Sequence, residues 1–314
     1  VNNITIFFYS PPEREDFFME NFTRQQIYEC RKFNYKNLEN DSRQRLDSLK
    51  NLINISTTPE LFQSQIMEST VIVAVGSDSR HENFRRSPLE FIVLTNKEFY
   101  LILKEKLTKI VTNNIGDIEV KNPNLGLLSE FSSDIKKGSH KSFWPIRLLD
   151  GYFLWGNSEL FQSSRFRILN EYRTRPEIRK NMIERIKEEI AVTRSGITRR
   201  TTQFNREEGI IFYNPKYNSY GLKYGPLRLF QESIQLIQLD TGISDLSPRT
   251  IDKMQYLLRN DNEIQEGYLA CLDLYSTTAC VQNDRNITRH KIDKEELDFI
   301  CEQALSIARL ARIK

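Results

Sequence analysis

Residues 76–94, GSDSRHENFRRSPLEFIVL, decide the fold that the sequence predicts. They follow a run of β-branched and apolar residues at 71–75 and end in a second apolar run at 91–94. An uninterrupted apolar run that glycine ends is typical of a strand buried on both faces. The stretch therefore predicts two strands of a small mixed sheet, at 71–75 and 89–95, joined by a polar turn.

The turn between these strands carries residues that favour phosphate binding. Gly76 and Ser77 follow the first strand directly, and small residues there let a phosphate approach backbone N–H groups. Glu90 is the acidic residue of the second strand, between apolar neighbours. Carboxylates that face the same way from one strand hold the divalent metals of nucleotidyl transfer. By itself such a turn is a weak signal, because Gly-Ser commonly ends strands.

The rest of the chain divides into three parts around this sheet. Residues 1–60 show helical spacing, residues 61–165 hold the strands, and residues 166–314 are mainly helical. The further elements that the pattern predicts are a helix at 97–111, strands at 117–120 and 146–155, and helices at 159–172, 176–193, 227–239, 248–258, 264–274 and 294–313. The expected fold class is α+β: a small mixed-sheet core with an N-terminal helical extension and a C-terminal helical bundle.

Composition excludes several classes of function. The 314 residues are 39% hydrophobic and carry a net charge of +3, so neither disorder nor a nucleic-acid partner is indicated. The four cysteines lack the paired spacing of a zinc site or a disulfide framework. Apolar runs are too short for a membrane span. We therefore expect a cytoplasmic protein without a membrane partner.

The residues of the turn, in their order, resemble a family motif of the nucleotidyltransferase superfamily. The similarity is closest to the nucleotidyltransferases related to bacterial PII-uridylyltransferase. Their motif runs from Gly-Gly or Gly-Ser through a short turn with Arg and then Glu, to Ser-Asp-h-Asp, where h is apolar. The residues that match without a gap are Gly76, Ser77, Arg80, Glu82 and Ser87.

Two later segments extend the resemblance toward the C terminus. Residues 148–157, LLDGYFLWGN, are similar to the family's strand that carries a third carboxylate, and Asp150 is the matching acid. Residues 225–229, GPLRL, match a Gly-Gly-Leu-Arg-Asp segment at the start of a helix, with Arg228 at the arginine. The similarity therefore runs in order from about residue 61 onward.

Four polar positions of the family are changed in this chain. Pro88 stands at the first metal-binding aspartate, and proline offers no side-chain ligand and no N–H. Glu90 stands at the second, where its extra methylene displaces the carboxylate oxygens. The family's arginine on the third strand is Tyr152, and the acidic residue after Arg228 is Leu229.

The resemblance implies a nucleotidyltransferase fold for the core at 61–165 and a nucleotide site in it, and it leaves the activity of that site open. It implies Mg²⁺ held by Glu90 and Asp150, the pair that would act in catalysis, and a nucleoside triphosphate bound by Gly76, Ser77, Arg80, Ser87 and Arg228. Because four positions changed together, we favour a nucleotide-binding pseudoenzyme with weak or lost transferase activity and a regulatory or interaction role. One alternative is an active enzyme that moves a nucleoside monophosphate to a hydroxyl of a protein or small molecule. The other is a helical scaffold or effector that binds a partner protein.

Overall fold

The chain begins, where it is described, with two helices that cover the sheet. The structure, a computed structural model, describes residues 24–57, 60–82, 89–113, 124–131, 133, 144–195, 204–205, 208–214, 219–259, 261–285 and 289–312. Helix α1, Arg24–Thr57, buries Leu46, Leu49 and Ile53 at three- and four-residue spacing. Helix α2, Glu60–Glu68, follows. The described part of the predicted N-terminal extension is therefore helical and packed.

The central sheet has four strands in the order β3-β2-β1-β4. Strand β1 is Thr70–Val75, β2 is Glu90–Thr95, β3 is Asn124–Leu127 and β4 is Tyr152–Gly156. Strand β1 is antiparallel to both β2 and β4, whereas β3 runs parallel to β2 after helix α3, Lys97–Asn113. The predicted mixed sheet is confirmed.

Strand β1 lies at the centre and is buried along its whole length. Val71, Val73 and Val75 belong to one hydrophobic cluster, and Ile72 and Ala74 belong to another. This alternation is the period of two that a strand imposes on its side chains. The prediction of a strand covered on both faces is confirmed.

The predicted strand at 146–155 is wrong in its first half. Helix α4, Trp144–Arg147, and a 3₁₀ turn, Leu148–Asp150, occupy that part, and only β4 is extended. The 3₁₀ turn buries Leu148 and Leu149 next to each other. Short apolar runs do not distinguish a buried turn from a strand, which explains the error. The predicted strand at 117–120 lies outside the described residues, and β3 was not predicted.

Helices dominate the chain after β4, as predicted. Among the described residues, none of the helices combines the length and the apolar character needed to cross a membrane. Tyr268 and Phe230 pack edge to face with ring centroids 5.8 Å apart in the core of this part. The helices are α5 Ser158–Thr174, α6 Pro176–Ser195, α7 Pro226–Thr241, α8 Thr250–Leu257, α9 Asn262–Arg285 and α10 Lys294–Leu310.

A second, antiparallel sheet accompanies these helices and was not predicted. Strand β6, Ile210–Asn214, pairs with β5, Phe204–Asn205, with β7, Ser219–Tyr220, and with β8, Arg289–Lys291. Strands β5, β7 and β8 have only two or three residues each and show no periodic signal in the sequence, whereas β6 begins with a short apolar run that was not recognised as a strand. A 3₁₀ turn, Gly221–Tyr224, leads from β7 into α7.

Candidate functional site

Three of the predicted site residues meet at one edge of the central sheet. Because β2 and β4 both run antiparallel to β1, the end of β1 lies beside the starts of the other two strands. Val75 pairs with Glu90, and Ala74 pairs with Tyr152, two residues after Asp150. Gly76, Glu90 and Asp150 therefore lie at the same end of the sheet, and we call this end the site edge.

Gly76 opens the turn with a backbone φ of +78°, a value that disfavours other residues. A Cβ at this position would lie 3.3 Å from Glu90 Oε2 and 3.4 Å from Arg147 Nη2. Backbone hydrogen bonds then close the turn, since Glu82 N donates to Ser77 O at 2.8 Å. The glycine therefore permits both a left-handed turn and a close approach of two charged side chains.

Buried charge holds the turn against α1. Asp78 is 1% exposed, and its Oδ1 lies 3.4 Å from Arg45 Nε of α1. His81 is 3% exposed, has a φ of +58°, and its Nδ1 lies 3.9 Å from Glu39 Oε1. Burial, followed by the charge of Arg249, lowers the pKa of His81 to about 4. The imidazole is therefore neutral at physiological pH.

Glu90, a predicted metal ligand, forms an ion pair with a basic side chain of the protein. Its Oε2 accepts a hydrogen bond from Arg147 Nη2, which comes from α4. The two side chains are 26% and 35% exposed, so the pair lies at the surface of the site edge. A charge-assisted contact of this kind neutralises the carboxylate.

Asp150, the other predicted metal ligand, also accepts hydrogen bonds from side chains of the protein. Lys253 Nζ of α8 donates to its Oδ1, and Gln235 Nε2 of α7 donates to its Oδ2 at 3.2 Å. Lys253 is 2% exposed, and burial lowers its pKa although the adjacent Asp150 acts in the opposite direction. The structure thus places a buried ion pair where the resemblance implies a metal.

The residues present do not fit a metal ion in this arrangement. A divalent cation at the site edge would first have to displace Arg147 from Glu90 and Lys253 from Asp150. Within the part of the chain that the structure describes, no three His, Cys, Asp or Glu side chains form a set that could hold a metal. Ser87 and Pro88 lie outside the described residues, so their part in the predicted site stays a prediction.

Glu82 anchors a buried polar network that links the turn to three helices. The carboxylate is 1% exposed. Its Oε2 accepts from Arg80 Nε at 2.8 Å and from Gln231 Nε2 of α7 at 2.7 Å. Its Oε1 accepts from Thr250 Oγ1 of α8 at 2.5 Å and from the Tyr268 hydroxyl of α9. With two donors on each oxygen, Glu82 is fully engaged within the fold.

A cavity of about 50 Å³ lies between the turn and the C-terminal helices. Leu227 and Leu272 form its apolar part. Of the charged side chains that line it, three are cationic and one, Glu82, is anionic. Its polar lining comes from the turn, from the 3₁₀ turn before α7, and from α7 and α9, and comprises Ser77, Arg80, Glu82, Lys223, Arg228, Gln231 and Tyr275. Three of the residues predicted to bind nucleotide, Ser77, Arg80 and Arg228, therefore meet around one cavity.

Sequence reasoning missed the partners of the predicted residues. Gln231 and Gln235 stand one helical turn apart on α7, and this spacing of two amide side chains on one face is a signal that could have been used. Arg147 and Lys253 gave no comparable signal, because a lone basic residue in a helix is normally solvated. The missed residues thus supply the donors that neutralise the expected ligands.

Comparisons with known proteins found no match to this chain among family models or among curated proteins.

Proposed function

We propose that this chain is a nucleotidyltransferase-like protein that binds a nucleoside triphosphate at the site edge and does not transfer its nucleotidyl group. The motif order that resembles PII-uridylyltransferase relatives supports this proposal. So does the meeting of the turn, Glu90 and Asp150 at one end of a mixed sheet. Binding at the carboxyl end of a buried strand, over a glycine turn, is a common use of such an edge.

The main support for a lack of transfer activity is that each expected metal ligand is paired with a basic side chain of the protein itself. Arg147 neutralises Glu90, and Lys253 neutralises Asp150 from a buried position. Nucleotidyl transfer needs carboxylates that are available to metal ions, because the metals orient the attacking hydroxyl and neutralise developing charge. Pro88 adds to this argument, since it has no side-chain ligand to offer.

The cationic lining beside Ser77 supports the binding half of the proposal. Arg80 and Arg228 both line the cavity that the turn borders, and Lys223 joins them. Arginine forms strong charge-assisted hydrogen bonds with phosphate oxygens. A polyphosphate chain would therefore find complementary charge next to the turn without help from a metal.

The proposal is tested by calorimetric titration of ATP, GTP, CTP and UTP, each with Mg²⁺, together with a transfer assay that uses the same nucleotides labelled at the α-phosphate. We expect saturable heat with at least one nucleotide and no label on the protein or on added acceptors. The variant Pro88→Asp with Leu89→Ile is a useful comparison, since it restores the family's first carboxylate. Absence of binding by every nucleotide, or label transfer by the unmodified chain, would contradict the proposal.

A further inference from the structure

We propose that the ammonium group of Lys253 takes the place of a metal ion at Asp150, so that this chain folds and binds its ligand without a divalent cation. The part that concerns the ligand rests on the proposed function, whereas the part that concerns folding and metal binding does not. The resemblance implies Mg²⁺ at this carboxylate. The two expectations therefore differ in a way that can be measured.

The Asp150 carboxylate has a side-chain donor on each of its oxygens. Lys253 Nζ donates to Oδ1, and Gln235 Nε2 donates to Oδ2 at 3.2 Å. The Lys253 side chain is 2% exposed and that of Asp150 is 15% exposed. An ammonium group is a compact point charge with three donors, and here it contacts an oxygen at which a metal ion would bind. The carboxylate is therefore neutralised by a cation that is covalently part of the chain.

Contacts that do not involve Asp150 fix the helix that carries Lys253. Thr250, the first residue of α8, donates to Glu82 Oε1 at 2.5 Å. Arg249, immediately before the helix, donates to Glu39 Oε1 of α1 at 3.0 Å. The start of α8 is thus held by both the turn after β1 and helix α1. Because its helix is fixed in this way, the ammonium group is preorganised beside the carboxylate.

Arg165 of α5 ties the turn that carries Asp150 to the segment before α8. The residue is 4% exposed, and its Nη2 donates to Leu149 O at 3.2 Å and to Leu246 O at 2.7 Å. One guanidinium group therefore fixes both the residue before Asp150 and the loop that leads to α8. A third buried side chain thus holds the carboxylate and the ammonium group in position relative to each other.

A divalent cation at Asp150 would have to displace this ammonium group. Lys253 is almost completely buried, so its displaced charge would stay inside the protein without a partner, which is strongly unfavourable. The Gln235 amide would lose its acceptor as well. Glu90, the other expected ligand at the site edge, is paired with Arg147. We therefore expect Mg²⁺ and Mn²⁺ to bind poorly at this edge.

The first measurement is the binding of Mn²⁺ to the full, unmodified chain, followed by the electron paramagnetic resonance signal of free Mn²⁺. We expect the free signal to equal that of the same Mn²⁺ concentration in buffer. The thermal unfolding midpoint should agree within about 1 °C between EDTA and millimolar Mg²⁺. Uptake of one Mn²⁺ per chain, or a clear stabilisation by Mg²⁺, would overturn the inference.

Removing the ammonium group should create a response to metal ions that the unmodified chain lacks. In Lys253→Met the Asp150 carboxylate loses its cation, so millimolar Mn²⁺ should raise the unfolding midpoint by about 2 to 4 °C over EDTA, as expected for a ligand at about ten times its Kd. The double variant Lys253→Met with Asp150→Asn should not respond. No response of Lys253→Met to Mn²⁺ would show that the ammonium group does not stand in for a metal.

Two further variants complete this test. Lys180→Met changes an exposed lysine that is also near a carboxylate, that of Glu184, and it should behave like the unmodified chain. Lys253→Gln keeps a donor for Asp150 without the charge, and it gives the same test if the methionine variant does not fold. A response to Mn²⁺ in Lys180→Met equal to that of the Lys253 variant would also contradict the inference.

Nucleotide titrations separate this inference from the proposed function. Calorimetric titration by each of the four nucleoside triphosphates should give affinities in EDTA and in Mg²⁺ that agree within about threefold. Binding that requires Mg²⁺ would overturn the inference and leave the proposed function standing. If no nucleotide binds under either condition, the proposed function is wrong, and the Mn²⁺ measurements still decide whether Lys253 replaces a metal ion.

Discussion

The Glu82 carboxylate joins the turn to three helices through four hydrogen bonds. In the family motif this acid stands within the phosphate-binding turn, but here both of its oxygens serve the fold. A buried carboxylate with four donors is costly to alter, because each donor loses its partner in a region of low dielectric constant. The turn that borders the cavity is therefore held rigidly by its own acid.

Replacing Glu82 should destabilise the whole chain. The change Glu82→Gln removes the charge that pairs with Arg80 and turns one acceptor into a donor, so we expect a loss of about 3 kcal/mol in the free energy of unfolding. Urea denaturation at pH 7.5 measures this loss. The control is Glu302→Gln, an exposed position on α10, which should change the free energy by less than about 0.5 kcal/mol. Equal effects at the two positions would contradict the network.

His81 gives the fold a calculable dependence on pH. Its pKa is about 4 in the folded chain, against about 6.5 for an unfolded histidine. The unfolded chain therefore binds more protons between these values, and stability that is present above pH 6.5 is lost as the pH falls toward 4. The unmodified chain should lose about 2 to 3 kcal/mol between pH 7.5 and 4.5 through this one group.

The variant His81→Asn isolates this contribution, since asparagine tolerates the positive φ and does not titrate over this range. Urea denaturation at several pH values should show a shallower fall for His81→Asn than for the unmodified chain. If the free energy of unfolding fell equally with pH in His81→Asn and in the unmodified chain, the imidazole of His81 would not be buried in its neutral form.

Helices α7 and α8 determine the state of the site edge. Gln235 of α7 and Lys253 of α8 both donate to Asp150, so the C-terminal helices reach the start of β4. Arg147 of α4 donates a hydrogen bond to Glu90 in a similar way. Packing of the helices therefore brings cations to the carboxylates that the resemblance assigns to a metal.

A double-mutant cycle on Asp150 and Lys253 measures this coupling. Lys253→Met should cost about 3 to 5 kcal/mol in unfolding free energy, because it leaves a largely buried carboxylate without its cation. Adding Asp150→Asn should recover part of the loss, with a coupling of about 2 kcal/mol. The exposed pair of Lys180 and Glu184, 3.9 Å apart, is the matched control and should couple by less than about 0.5 kcal/mol. Additive effects at Asp150 and Lys253 would contradict the ion pair.

The elements that the sequence predicted well are those with a strong periodic pattern. The uniformly apolar run at 71–75 correctly predicted β1, and the helical spacing after residue 158 correctly predicted six helices. The 3₁₀ turn before β4 and most of the second sheet were missed, because two adjacent leucines or a strand of two or three residues carry no period. At the site, the motif order led to Gly76, Glu90 and Asp150, whereas Arg147 and Lys253 depend on packing between distant segments and could not be predicted.

The described molecule is held together by α1, which contacts both the central sheet and the C-terminal helices. Arg45 of α1 lies beside Asp78 in the turn, Glu39 accepts from Arg249 before α8 at 3.0 Å, and Arg31 pairs with Glu296 of α10. These contacts fix the turn and the C-terminal helices relative to each other. The cavity between them is therefore a preformed feature, which lowers the conformational cost of binding an anion.

The central claim is that the chain binds a nucleotide and leaves it intact, and equilibrium dialysis with nucleoside triphosphates labelled at the α-phosphate tests it most directly. After dialysis with Mg²⁺, the label on the protein side is separated by chromatography into intact triphosphate, monophosphate and protein-bound forms. The account predicts an excess of label on the protein side, recovered as intact triphosphate and reduced by Arg228→Gln. Equal label on the two sides of the dialysis membrane, or label recovered as a nucleoside monophosphate attached to the protein, would contradict the account.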